Sequence, residues 1–230
     1  MTEPSVRAPR GAWAVLLAGV AVYFVAVVHR TALGVAGVEA LDRFGTQATG
    51  LAMLSVTQVA VYAAMQIPAG HLLDRLGPKR VMVAGAILMG LGQGLMAVTD
   101  ELGLAVLARA LLGAGDAPVF ISATRLISAW FPSRRVPVLV QLTGLIGQTG
   151  QLATAVPVAW VLIELGWTAA FGALAALGLL GAVAAGLWVR LPDAGERPAA
   201  EPGDRLWSAV RDAAATAGTR LGFWSHFLTP

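Results

Sequence analysis

Arg30, Arg109, Asp116 and Arg125 are ionisable side chains set well inside long apolar runs, and His29 joins them when protonated. At the middle of a bilayer each charge costs about 2.5 to 3.5 kcal/mol on insertion scales, so each needs a partner or a task. Positive groups in a low-dielectric cavity attract anions. Asp116 is the one acidic residue placed deep inside a run and is, by elimination, the leading proton carrier if protons are handled here. Arg109 lies seven residues before it, on the same helix face and roughly 10 Å away along the axis, so the two could be joined through a water or a third group. Other readings stay open. Arg30 could snorkel towards the headgroups, and Arg109 or Arg125 could pair only with an acid or with backbone carbonyls.

The elements that must position these groups are membrane spans. The chain has 230 residues, 57% hydrophobic and only 13% charged, with a mean hydropathy of +0.72, which leaves too little polar surface to close a water-facing globule. A hydrocarbon core of roughly 30 Å needs about 20 apolar residues in helix. Six stretches reach that length, at about 12 to 37, 48 to 72, 80 to 99, 103 to 130, 136 to 163 and 167 to 189. The prolines and glycines within them are tolerated in membrane helices, where neighbours satisfy the freed backbone groups.

The basic residues fall between the apolar runs and mark topology, not nucleic acid. Arg7, Arg10, Arg75, Lys79, Arg80, Arg134, Arg135 and Arg190 lie on one side, whereas the other side offers only Arg43 among several acids, so the N-terminus is expected in the cytoplasm of a multi-pass inner-membrane protein. With no cysteine and with His29, His71 and His226 scattered, no metal or cofactor is expected.

Between the second and third runs stands Gly70-His71-Leu72-Leu73-Asp74-Arg75-Leu76-Gly77-Pro78-Lys79-Arg80. It resembles the loop between helices two and three of the major facilitator superfamily: Gly, three variable residues, Asp-Arg, one variable, Gly, one variable, two basic. Gly70, Asp74, Arg75, Gly77, Lys79 and Arg80 fill every fixed position. Physically, Gly70 would admit a close helix, and Asp74 falls on the same face one turn later. The resemblance implies a conformational-gating role, with Asp74 facing a helix N-terminus of a second half; a merely solvated basic loop is the alternative reading.

The segment from Val28 to Gly37 is similar to the first helix of the superfamily's anion:cation symporter branch, where an Asp-Arg pair is common and the Arg helps hold an anionic substrate. Here His29 stands in place of the Asp. The stretch from Arg109 to Pro118, with its Gly113 and Gly115, resembles the superfamily's helix-four pattern, and its acid, Ala and Pro are again similar to that branch. So is the stretch from Arg125 to Pro132. The resemblance makes Arg30, Arg125 and His29 candidate substrate contacts, and Asp116, His29 and Arg109 candidates for proton coupling. Helix five carries Gly144, Gly147 and Gly150 at intervals of three, a strip for close packing, and Pro157, a bend. Its polar residues, among them Gln148, and Gln58 in helix two are expected to line the cavity.

The expected fold is therefore all-α and integral to the membrane: six transmembrane helices at 1–190 forming the N-terminal half-bundle of a major facilitator fold. A cytoplasmic linker follows at 191–220, with a surface helix at about 204 to 217, and 221–230 reads as the start of a truncated seventh span. The implied function is a secondary active transporter moving a small organic anion by alternating access, with protons as co-substrate and a missing six-helix half as partner. A drug or metabolite exporter of the same superfamily is the runner-up. A membrane enzyme or a receptor-like six-helix protein has less behind it, for no nucleophile or metal set stands in a recognisable arrangement.

Overall fold

A computed structural model describes residues 11–192 together with Ala215, Thr216 and Gly218. The expected surface helix at 204 to 217 (apart from Ala215 and Thr216) and the expected start of a seventh span at 221–230 lie outside the described residues. The chain divides at Ala194, and the fold below is that of the first unit.

The described residues of that unit are helical: α1 (Ala12–Val35), α2 (Gly37–Arg43), α3 (Ala48–Val98), α4 (Leu102–Trp130), α5 (Val136–Gln148), α6 (Gly150–Ala153), a π-helical turn (Thr154–Val158) and α7 (Ala159–Trp188). Among the described residues, four stretches are long and apolar enough to cross a membrane: Ala12–Val35, Ala48–Val98, Leu102–Trp130 and Val136–Trp188.

Two of these are too long for a single crossing, since 51 residues of helix would extend roughly 75 Å. Each is broken by one glycine. Gly77, at φ 78° and ψ 163°, takes a conformation that side chains with a Cβ rarely adopt, and Gly166 does the same at φ 81° and ψ 178°. At both points the chain folds back. Gly113 of α4 abuts the backbone of Gln58 and Tyr62 while Gly115, on the next turn's edge, abuts Gly85 and Met89; a straight helix would hold Gln58 and Met89 roughly 45 Å apart. In the same way Thr154 and Leu174 both bond to α1, at Val28 and His29.

The residues from Gly70 to Arg80 are thus two helix ends meeting at Gly77, with helix continuing past the expected limit at 72 and resuming before 80. A second difference concerns the far end of α1. Helix stops at Val35 and not at 37, then resumes as α2 where a loop was expected, because Ala40 and Phe44 find burial in one cluster with Leu54, Met96 and Phe171. The bend anticipated from Pro157 takes the form of the π-helical turn that contains it.

Among the described residues three apolar clusters fill the interior, one around Val15, Val22, Met82, Met89 and Leu126, another around Leu33, Leu54, Met96, Phe171 and Leu174, and a smaller one of Ala12, Ile127, Phe131 and Leu139. Large apolar side chains also cover the outside, Leu17, Val59, Leu107, Ile163 and Leu180 among them. An apolar exterior around an apolar interior is what a bilayer solvent selects.

The C-terminal end of α3 is tied down by side chains. Trp167, immediately after the Gly166 turn, donates its indole N–H to Met96 O at 2.7 Å; Thr168 donates to Ala97 O at 3.2 Å and Arg43 Nε to Thr99 O at 2.7 Å. The Arg43 guanidinium also sits 5.5 Å from the Trp167 ring centre. Carbonyls that the helix end leaves free are satisfied here by partners from α2 and α7. Trp167→Phe keeps the aromatic ring and removes the donor, so it should cost about 1 kcal/mol, read as a fall of roughly 3 °C in the melting midpoint of the detergent-solubilised protein; an unchanged midpoint would show that this bond adds nothing.

Candidate functional site

Glycines on two edges of α4 decide where its acid goes. Gly113 lets the first leg of α3 approach, which places Tyr62 beside α4, and Gly115 lets the second leg in against Gly85. Between these contacts, Asp116 meets Arg30 from α1. Arg30 Nε donates to Asp116 Oδ2 at 2.7 Å and Nη2 to Oδ1 at 2.9 Å, two parallel bonds of the kind a planar guanidinium makes with a carboxylate.

The pair is asymmetric. The Asp116 side chain is 3% exposed and that of Arg30 35%, so the cation is reachable and the anion is not. Arg30 lies over the Tyr62 ring, 5.1 Å from its centre, and Tyr23 packs on Phe120 at 4.9 Å. One residue along α1, Thr31 shares a hydroxyl–hydroxyl bond of 2.8 Å with Thr154 at the start of the π-helical turn. Gly147 lies against Tyr23 and Gly150 against Phe24 and Val27, while among the described residues nothing stands within 4 Å of where Gly144 would carry a Cβ. Two of the three helix-five glycines therefore make the expected close contact.

The other candidates are dispersed. His29 is fully buried and donates through Nε2 to Leu174 O at 2.9 Å, turned towards α7 and away from the Arg30–Asp116 pair. Arg109 is 2% exposed and makes no direct bond to the Asp116 carboxylate, whose two oxygens accept from Arg30. Gln58 is buried one turn before Tyr62 on the same face. Gln148 is exposed and accepts from Gln151 Nε2 at 2.5 Å.

Arg125 is nine residues beyond Asp116, roughly 13 Å along α4, and forms an exposed ion pair with Asp74 at 3.4 Å. The structure thus brings Arg125 to the Gly70–Arg80 segment and not to Arg30. Asp74, Arg75, Lys79 and Arg80 are all exposed, and among the described residues nothing stands within 4 Å of a Cβ built on Gly70. Sequence reasoning leaves Tyr62 out: read alone it is one more membrane aromatic, although its spacing of four from Gln58 puts the two on one face of the helix.

The probable sulfoacetate transporter of Cupriavidus necator is 28% identical over 157 residues, covering 68% of this chain and 36% of that protein. The probable galactarate/D-glucarate transporter of Escherichia coli K12 is 29% identical over 157 residues, covering 66% and 35%, and the hexuronate transporter of the same strain is 29% identical over 125 residues, covering 54% and 29%. The chain spans about a third of the length of these curated relatives. The family model of the Major Facilitator Superfamily matches residues 19–230, which takes in the hairpin at Gly77, the glycine-edged α4 and the buried pair together, and the chain belongs to that superfamily.

Proposed function

We propose that the chain forms a six-helix half of a secondary active transporter for small organic anions. The legs of α3 and of 136–188, with α1 and α4, supply six spans of a multi-pass inner-membrane protein, and the one-sided distribution of basic residues supports a cytoplasmic N-terminus. A second six-helix half covers the open side, including the space beside Gly70, and Asp74 with its basic neighbours biases one conformation of the alternating cycle. The arrangement can be checked directly: cysteines placed at Asp42 and Asp100 should react with an impermeant reagent added outside intact cells while one at Lys79 stays protected, and the reverse pattern would overturn the topology.

The observation that carries the functional reading is the two-bonded Arg30–Asp116 pair with its cation partly open. A carboxylate or sulfonate presents the same oxygen geometry as Asp116 and competes for the same fork. When the substrate takes Arg30, Asp116 is left buried without its cation, and a buried lone carboxylate is relieved by a proton. One proton and one anion then enter the cycle together, and the pair is restored only when both have left. The relatives named for sulfoacetate, galactarate, glucarate and hexuronate transport support an anionic substrate class.

Arg30→Lys tests this in the complete gene product. The charge stays, the fork is lost, and the affinity for labelled sugar acids should fall on the order of tenfold, about 1.4 kcal/mol, with Arg30→Gln worse. Wild-type affinity in both variants would remove Arg30 from the binding site.

A further inference from the structure

The middle turn of α1 is tied by side chains at every residue from Val27 to Thr31. Thr31 Oγ1 donates to Val27 O at 2.9 Å, and Thr154 Oγ1 of the π-helical turn lies 2.8 Å from Thr31 Oγ1 and 3.3 Å from Val28 O. His29 O accepts from Gln93 Nε2, on the second leg of α3, at 3.3 Å. Arg30 forks onto Asp116 of α4. The remaining tie is the His29 ring, whose Nε2 stands 2.9 Å from Leu174 O of α7. A carbonyl only accepts, so Nε2 carries the hydrogen.

The ring is fitted into its place. His29 is 0% exposed, and a Cβ on Gly178, one turn beyond Leu174, would stand 2.9 Å from His29 Cε1. The imidazole thus occupies room that the glycine leaves. Among the described residues no carboxylate pairs with it. An imidazolium sealed there without an anion would be costly, and the ring serves as a neutral donor. Its direction matters for its neighbour. His29 and Arg30 leave the helix about 100° apart, so a bond that fixes His29 on α7 also fixes the side of α1 from which Arg30 reaches α4. A two-bonded fork works only when its donors are held to about 0.5 Å and 10–20°.

We propose that His29 is a positioning residue: its bond to Leu174 O sets the rotation of α1 that presents Arg30 to Asp116 and, in turn, to the substrate anion. The inference rests on the reading of Arg30 as the anion's partner. It gives His29 neither a substrate contact nor a proton to carry, although the residue stands where the symporter branch commonly has an Asp.

Variants of the complete gene product, each first isolated as a monodisperse peak, test it. His29→Gln brings an amide N–H to about the reach of Nε2 and cannot titrate. It should bind labelled sugar acids within about twofold of wild type and still drive uphill uptake under an imposed proton gradient. His29→Leu keeps the bulk and loses the donor, so affinity should fall about three- to tenfold, the span of one hydrogen bond. His29→Asn, whose amide stops short of Leu174 O, should weaken binding likewise and serves if His29→Leu does not fold. Three results would overturn the proposal: wild-type affinity in both His29→Leu and His29→Asn, equal weakening in His29→Gln and His29→Leu, or loss of uphill uptake in His29→Gln with binding intact. The last would make His29 a proton carrier. Arg30→Lys tells the two levels apart. Weakened binding there beside wild-type binding in His29→Leu removes the positioning role alone, whereas wild-type binding in both Arg30→Lys and Arg30→Gln removes the anion reading and the positioning role with it.

Discussion

Asp116→Asn is expected to abolish proton-driven accumulation of substrate while leaving substrate binding and exchange in place. Asparagine retains the shape of the side chain and one acceptor oxygen, so α4 still packs against both legs of α3. What it loses is the charge that competes with substrate for the Arg30 fork and the only group in the pair that can take a proton. Breaking a buried ion pair by removing one partner costs about 3 to 5 kcal/mol when the survivor stays sealed; here Arg30 is 35% exposed and rests on Tyr62, so the protein should still insert and fold. Uphill uptake under an imposed proton gradient, measured in vesicles with the complete gene product, should fall by at least about tenfold, a loss of the order attached to a positioned proton-transfer group. Counterflow of labelled substrate should persist. Accumulation at the wild-type level would show that Asp116 carries no proton, and the pair would then be a structural tie only.

The second large effect is expected from Gly115→Val. A Cβ at Gly115 would lie 2.5 Å from Gly85 O and 2.9 Å from Met89, and one at Gly85 would lie 2.5 Å from Gly115 O. Backbone stands on both sides of this contact, so no flexible side chain can yield, and α4 must move off the second leg of α3. Overpacking of that kind costs about 1 to 3 kcal/mol or more, and the displaced helix also carries Asp116 away from Arg30. The folded yield after detergent extraction, read as a monodisperse peak, should drop to a small fraction of wild type. Gly144→Ala is the control, since among the described residues nothing lies within 4 Å of a Cβ there, and it should extract normally. Equal yields for the two variants would contradict the close contact between α3 and α4.

Several features of the molecule were legible before any tertiary contact was known. A bilayer imposes a one-dimensional demand of length and apolarity, and a chain that meets it displays the fact in consecutive residues; hence the apolar runs, the basic residues of the connections gathered, Arg43 apart, in one set of them, and the glycine at which α3 turns. The ionisable groups inside the runs were equally visible, because each is an exception to that demand. What sequence could not assign was partnership. Along α4 alone, Arg109 and Asp116 share a face, and local geometry suggests joining them. In the folded bundle Asp116 belongs to Arg30 across a different interface, because Gly113 and Gly115 admit both legs of α3 and α1 presents Arg30 on the remaining side. Successive residues on a helix project about 100° apart, so His29 and Arg30, adjacent in the chain, look in different directions, one to Leu174 and the other to Asp116. Arg125, seemingly one of a buried set, is carried by nine residues of helix to the exposed Asp74. Hydropathy selects which residues lie within the membrane, whereas the rotation of each helix about its axis, set by where backbones can approach, selects which of them meet.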